Sequence, residues 1–72
     1  MVCEEGQLKG AFRGFKDRDT HFEFHGGGKW RQAEYKYLYQ YAYMPHAKVV
    51  EEGGRYMLYV EDVDEPVEVR RS

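Results

Sequence analysis

Tyrosine occupies every second position from Tyr35 to Tyr43 in the run WRQAEYKYLYQYAYM, Trp30 to Met44, and this spacing restricts the fold more than any other feature of the chain. An extended chain points alternate side chains to opposite faces, so Tyr35, Tyr37, Tyr39, Tyr41 and Tyr43 fall on one side of a single segment. Wound as a helix, the same five rings scatter around most of the circumference and leave no polar face. Ala, Glu, Lys, Leu and Gln in the run favour a helix, but tyrosine favours strands and the period is two. The stretch therefore reads as a strand, around which shorter strands are organised.

Run straight from Trp30 to Tyr43, that strand would measure about 45 Å at roughly 3.3 Å per residue, too long for a domain of this size. It must bend or be shared between two sheets. Trp30 is also out of phase with the tyrosines, and a bulge near Gln32 to Glu34 would let Trp30 and some tyrosines face one core. The even face mixes apolar Leu38, Ala42 and Met44 with polar Gln32, Glu34, Lys36 and Gln40.

The remaining segments are short. Residues 1–6 are polar and read as a flexible N-terminal arm. Leu8 to Phe15 reads as a strand bent at Gly10 and Gly14, and Lys16 to Asp19 as a turn. Thr20 to Phe24 alternates, with Phe22 and Phe24 on one face and His21, Glu23 and His25 on the other. Gly26, Gly27 and Gly28 suit a tight hairpin connection. A phosphate-cradling loop would need a following helix carrying Lys-Ser or Lys-Thr, which is absent here.

Pro45 closes the long strand because it lacks a ladder donor. His46 to Glu51, Arg55 to Glu61 and Val67 to Arg71 read as further strands, separated by turns at Glu52-Gly53-Gly54 and at Asp62 to Pro66. Arg55 to Glu61 carries apolar residues on both faces and is expected at the centre of the sheet. The expected fold is all-β: one domain of residues 1–72, an SH3-like barrel or orthogonal sandwich of five to six antiparallel strands, closed so that few edges are exposed.

A 72-residue chain buries only about 60% of its unfolded surface, so its stability is modest. Aromatic content of 17% offsets the small residue count, because rings bury large areas each. Charged residues make up 33% and the net charge is −2, a balance unlike that of a general polyanion binder. The one cysteine, Cys3, cannot form an internal disulfide or complete a cysteine-based metal site, which fits a reducing cytoplasm. The first ten residues lack the basic and apolar regions of a signal peptide, and no run approaches the roughly 18 apolar residues of a membrane span.

The pattern Thr20-x-Phe22-x-Phe24, Gly28-x-Trp30-x-Gln32, the tyrosine repeat ending at Pro45, Tyr56-x-Leu58-x-Val60 and Val67-x-Val69-Arg70 resembles a group of small uncharacterised bacterial proteins with an SH3-like β barrel. The resemblance runs from about Phe12 to Arg71. It implies a bacterial source and a compact barrel, and it carries over no catalytic residue.

His21, Glu23 and His25 project from one strand face and invite a test as divalent-metal ligands, but ligands two apart on a strand stand about 7 Å from one another, wide for shared coordination. A solvated polar face is the expected role, with no metal and no cofactor. The one serine is Ser72 at the C-terminus and Cys3 lies in the expected arm, so a positioned nucleophile with its base is hard to assemble and no enzyme is expected.

The aromatic row is the leading candidate. Most of its rings are expected to cover the core with hydroxyls at the rim. The sharper alternative leaves part of the row exposed as a binding surface of Trp30, Tyr35, Tyr37, Tyr39, Tyr41 and Tyr43, in a module that binds an unidentified protein partner or a second copy of itself. A different class, single-stranded nucleic-acid binding, would stack bases on these rings and draw phosphate contacts from Arg31, Lys36, Lys48, Arg55, Arg70 and Arg71. Acids at Glu34, Glu51, Glu52 and Glu61 oppose it.

Overall fold

A computed structural model describes residues 1–16 and 20–72. The expected turn at Lys16 to Asp19 lies, except for Lys16, outside the described residues. Every regular element is a strand: β1 (Val2–Gln7), β2 (Ala11–Phe12), β3 (His21–Glu23), β4 (Lys29–Gln32), β5 (Ala42–Tyr43), β6 (His46–Glu52), β7 (Arg55–Val60) and β8 (Val67–Arg71). Six of them form one antiparallel sheet in the order β1-β6-β7-β8-β4-β3, and β2 pairs with β5 in a separate ribbon.

The hairpins follow from local chemistry. Gly53 and Gly54 join β6 to β7 with φ of 59° and 84°, a left-handed pair that residues with a Cβ adopt at a cost. Gly26 to Gly28 join β3 to β4, where the Phe24 amide donates to the Gly28 carbonyl at 2.8 Å. The sheet curls into a half-barrel whose outer strands meet at one end. The Lys9 amide donates to the Glu23 carbonyl at 2.8 Å and the His25 amide to the Gln7 carbonyl at 2.9 Å, on either side of a Leu8–Phe24 bridge. The all-β, barrel-like class expected from the sequence is the class observed.

Leu8, Phe12, Phe15, Phe22, Phe24 and Trp30 fill the interior with Ala47, Val49, Leu58, Val60, Val67 and Val69. Phe12 and Phe15 are three apart, a spacing that puts them on opposite faces of a regular strand. Gly14, at φ 96°, turns the chain between them, and both rings pack inward, 5.9 Å apart and edge to face. The expected strand from Leu8 to Phe15 is accordingly reduced to β2 flanked by single bridges at Leu8 and Phe15.

Two expectations are corrected. Residues 1–6, read as a flexible arm, mostly belong to β1, which pairs with β6 from Val2↔Val50 to Gln7↔His46. Polar side chains had suggested solvent, but they say nothing of the backbone ladder, and the Glu4 carboxylate has fixed partners: it accepts from the Gly28 amide at 3.0 Å and from the Trp30 indole at 2.9 Å. A Cβ at Gly28 would push that carboxylate aside, at the expense of these two bonds.

The second correction concerns Trp30 to Met44, expected as a strand that bends or is shared between two sheets, with a bulge near Gln32 to Glu34: the segment is shared between the six-stranded sheet and the ribbon, but through a break in the ladder rather than a bulge. Ladder pairing occurs only at β4 and β5, with a Leu38–Phe15 bridge between them. The molecule measures 29 × 26 × 22 Å, so a straight strand of about 45 Å could not fit within it. The chain leaves the sheet after Gln32 and crosses the barrel as an extended belt.

Candidate functional site

The belt keeps the two-residue period without a continuous ladder. Its even positions from Glu34 to Met44 are half-buried and its tyrosines are exposed. Tyr35, Tyr37, Tyr39, Tyr41 and Tyr43 are 77%, 75%, 67%, 57% and 69% exposed. The expectation that most of the row is core is therefore corrected: the face assignment is the reverse, and no bulge brings the tyrosines inward.

The reason lies in the even positions. Gln32 is fully buried. Its side-chain amide donates to the carbonyls of Glu34 at 2.8 Å and Lys36 at 3.0 Å, and its oxygen accepts from the Lys16 amide at 3.1 Å. The Glu34 carboxylate accepts from the Glu68 amide at 2.7 Å, and the Lys36 ammonium donates to the Pro66 carbonyl at 2.7 Å. Leu38 exchanges backbone bonds with Phe15, and Gln40 donates to the Asp62 carbonyl at 2.8 Å. Ala42 pairs with Phe12 and the Met44 amide reaches the Gly10 carbonyl. Polar residues thus face the protein because each has a partner there.

The same bonds define an edge. Along an extended chain the backbone groups of alternate residues point to opposite sides. Leu38, Ala42 and Met44 use theirs on the segment from Gly10 to Phe15. Tyr37, Tyr39 and Tyr41 carry no backbone hydrogen bond among the described residues.

Trp30 does not belong to this surface. It is 1% exposed, its indole is held by Glu4, Tyr56 lies 5.4 Å from it ring to ring, and the Arg71 guanidinium sits 4.8 Å over its face. The candidate site is the five tyrosines alone. Its exposure could have been anticipated from Gln32, whose place two residues after a core tryptophan fixes the phase of every even residue that follows.

The cations proposed for phosphate contact are placed elsewhere. Arg31, Lys48, Arg55, Arg70 and Arg71 belong to β4, β6, β7 and β8, and Lys36 reaches inward to Pro66 and, at 3.6 Å, to Glu65. Cations that sequence reasoning passed over, Lys9, Arg13 and Lys16, lie on the segment paired with the belt. They line a groove of about 210 Å³ shared with Phe12, His21 and Glu23.

Among the described residues no three His, Cys, Asp or Glu side chains converge, at His21, Glu23 and His25 or elsewhere. Glu23 instead pairs with Lys9 at 3.1 Å, and the hydrogen bond and charge of Lys9 hold its carboxyl below the ordinary glutamate value. A depressed folded value means that the stability this pair adds is present above the unfolded glutamate pKa and is lost as pH falls through the folded one. The carboxyl carbon of Glu23 is expected to titrate at lower pH than that of a free glutamate, and Lys9→Ala to raise its midpoint, both read by carbon-detected NMR.

The described residues contain no helix long and apolar enough to cross a membrane. Comparison with known proteins finds no match among family models, curated proteins or solved structures, so the functional reading rests on the tyrosine row and its setting.

Proposed function

We propose that this chain is a non-catalytic protein-binding or self-associating module whose contact surface is the row Tyr35, Tyr37, Tyr39, Tyr41 and Tyr43. The observation that carries the proposal is the row itself, five phenol rings each more than half exposed on one face of a belt anchored at every even position. At roughly 150–250 Å² for a whole tyrosine, these exposures leave roughly 500–850 Å² of aromatic surface in water. Contiguous exposed patches of a few hundred Å² mark interaction sites in soluble domains. Tyrosine suits the task, since it covers a large area with two side-chain torsions to immobilise. A reducing cytoplasm is the setting this reading assumes for the unpaired Cys3.

A triple variant, Tyr37→Ser with Tyr39→Ser and Tyr41→Ser, is expected to keep the wild-type amide spectrum because these rings are exposed. It is also expected to lose self-association in sedimentation velocity, or capture of the partner retained by the wild-type domain. Unchanged association by the folded variant would remove the row from the contact.

A second reading, single-stranded nucleic-acid binding, is favoured by one observation: Lys9, Arg13 and Lys16 lie on the segment that pairs with the belt. Backbone phosphates and stacked bases could use the two side by side. Against it, the net charge is −2 and Lys9 is already paired with Glu23. Fluorescence polarisation with short oligonucleotides at low salt, where phosphate contacts are strongest, is expected to stay flat.

A further inference from the structure

We infer that the belt is a dimerisation edge, to which a second copy of this chain adds its own belt in antiparallel pairing about a two-fold axis at Tyr39. The inference rests on the reading of the row as a contact surface and names its occupant.

The edge is open. Leu38, Ala42 and Met44 turn their backbone groups toward Phe15, Phe12 and Gly10, so strand alternation aims those of Tyr37, Tyr39 and Tyr41 at the opposite side. Those groups carry no backbone bond among the described residues, and such a row is a template for another strand. The six-stranded sheet is treated differently, since its outer strands β1 and β3 meet through Leu8 and Phe24.

The edge is also unprotected. Proteins blunt free strands with lysine, proline or inward-pointing charge, yet the outward positions from Tyr35 to Tyr43 carry tyrosine alone. The charges of the belt, Glu34 and Lys36, are committed to Glu68, Pro66 and Glu65. Two copies can therefore approach along this edge without setting like charges against each other.

The row is its own complement. Antiparallel pairing about Tyr39 sets Tyr39 opposite the same residue of the copy, Tyr37 opposite Tyr41 and Tyr35 opposite Tyr43. In that register Tyr37, Tyr39 and Tyr41 each exchange both backbone bonds with the residue they face, while rings meet rings on one sheet surface. This is the isologous contact that two-fold symmetry demands. The roughly 500–850 Å² of exposed tyrosine per chain sets the most that the row can bury, against the ~800 Å² per partner of a standard interface. A polyanion has less to recognise, because the outward positions of the belt carry no cation and, among the described residues, Lys9, Arg13 and Lys16 lie on the side of the belt already paired.

The test is sedimentation equilibrium of the wild-type chain and of Tyr39→Lys and Tyr39→Glu, each first shown to keep the wild-type amide spectrum. Because residue 39 faces itself, each substitution alone sets like charges across the axis and is expected to raise the dimer dissociation constant at least ~10-fold. An equimolar mixture of the two is expected to recover the dimer. A wild-type chain that stays monomeric at about 1 mM overturns the inference. So does a mixture that stays monomeric when each variant alone is monomeric. If the single variants dimerise like wild type while the folded triple serine variant dissociates, the row remains a contact surface and the two-fold pairing at Tyr39 is wrong. Movement of the tyrosine resonances with a single-stranded decathymidylate in a chain that does not dimerise overturns it in favour of nucleic acid.

Discussion

Replacing Gln32 by Leu is expected to lower the unfolding free energy by about 3 kcal/mol, at roughly 1 kcal/mol for each of three hydrogen bonds lost. The substitution nearly preserves volume, so the cost comes from polarity: the Lys16 amide and the Glu34 and Lys36 carbonyls lose the side chain that joins them. A domain of this length holds only about 4–11 kcal/mol in total, so the variant should unfold at visibly lower urea. The carbonyls can regain water if the belt lifts, which caps the cost and makes residues 33–41 the place where it is felt. Hydrogen exchange is expected to accelerate at Lys16 and Leu38 before it does in β6 and β7. Gln40→Leu is the control. It removes one bond at an exposed site and is expected to cost about 1 kcal/mol or less.

Gly14→Ala is the second large effect, expected at about 3–5 kcal/mol. Gly14 has φ 96°, and a Cβ there would run into the backbone carbonyl of Leu38. Positive φ in a residue with a Cβ costs about 1–3 kcal/mol, and relieving the collision breaks the two Phe15–Leu38 bonds at about 1 kcal/mol each. Backbone, unlike a side-chain tip, cannot swing aside. Gly27 supplies the comparison: it too has positive φ, 110°, but a Cβ would meet nothing within 4 Å. Gly27→Ala should therefore cost about 1–3 kcal/mol, strain alone, and chemical denaturation of the pair separates strain from collision.

Gln32 and Gly14 also mark where reading the chain succeeded and where it did not. The two-residue period of the tyrosines, the glycine hairpins and the inward set of Phe22, Phe24, Leu58, Val60, Val67 and Val69 were all legible, because each depends on local geometry or on a residue's own hydrophobicity. Which side of the belt faces the protein had one signal in the sequence, the even phase that Gln32 and the residues after it share with Trp30, and residue character argued against it. Phenol rings look more like core than Gln32, Glu34, Lys36 and Gln40 do. The choice is made by distant partners, Lys16, Glu68, Pro66 and Asp62, whose arrival beside the belt is a property of the whole barrel. The strand at Val2 to Gln7 was missed for the same reason, since its partners lie 39 to 48 positions away, from Gln7↔His46 to Val2↔Val50. Of the six residues named for that surface the five tyrosines are exposed, whereas Trp30 is enclosed by Glu4 and Arg71.

The pairing of β1 with β6 has a consequence for synthesis. The ribosome releases Val2 long before Val50, so the opening strand waits while the tyrosine segment emerges with neither Gln32 nor Gly14 yet able to fasten it against a finished barrel. Long-range closure of this kind is slow, and an aromatic edge uncovered in the interval invites association between nascent chains. Slowing translation after Tyr43 should lower the soluble yield, whereas a circular permutant that begins at Pro45 and joins Ser72 to Met1, so that β6, β7, β8 and β1 are all made before the tyrosine segment, should raise it.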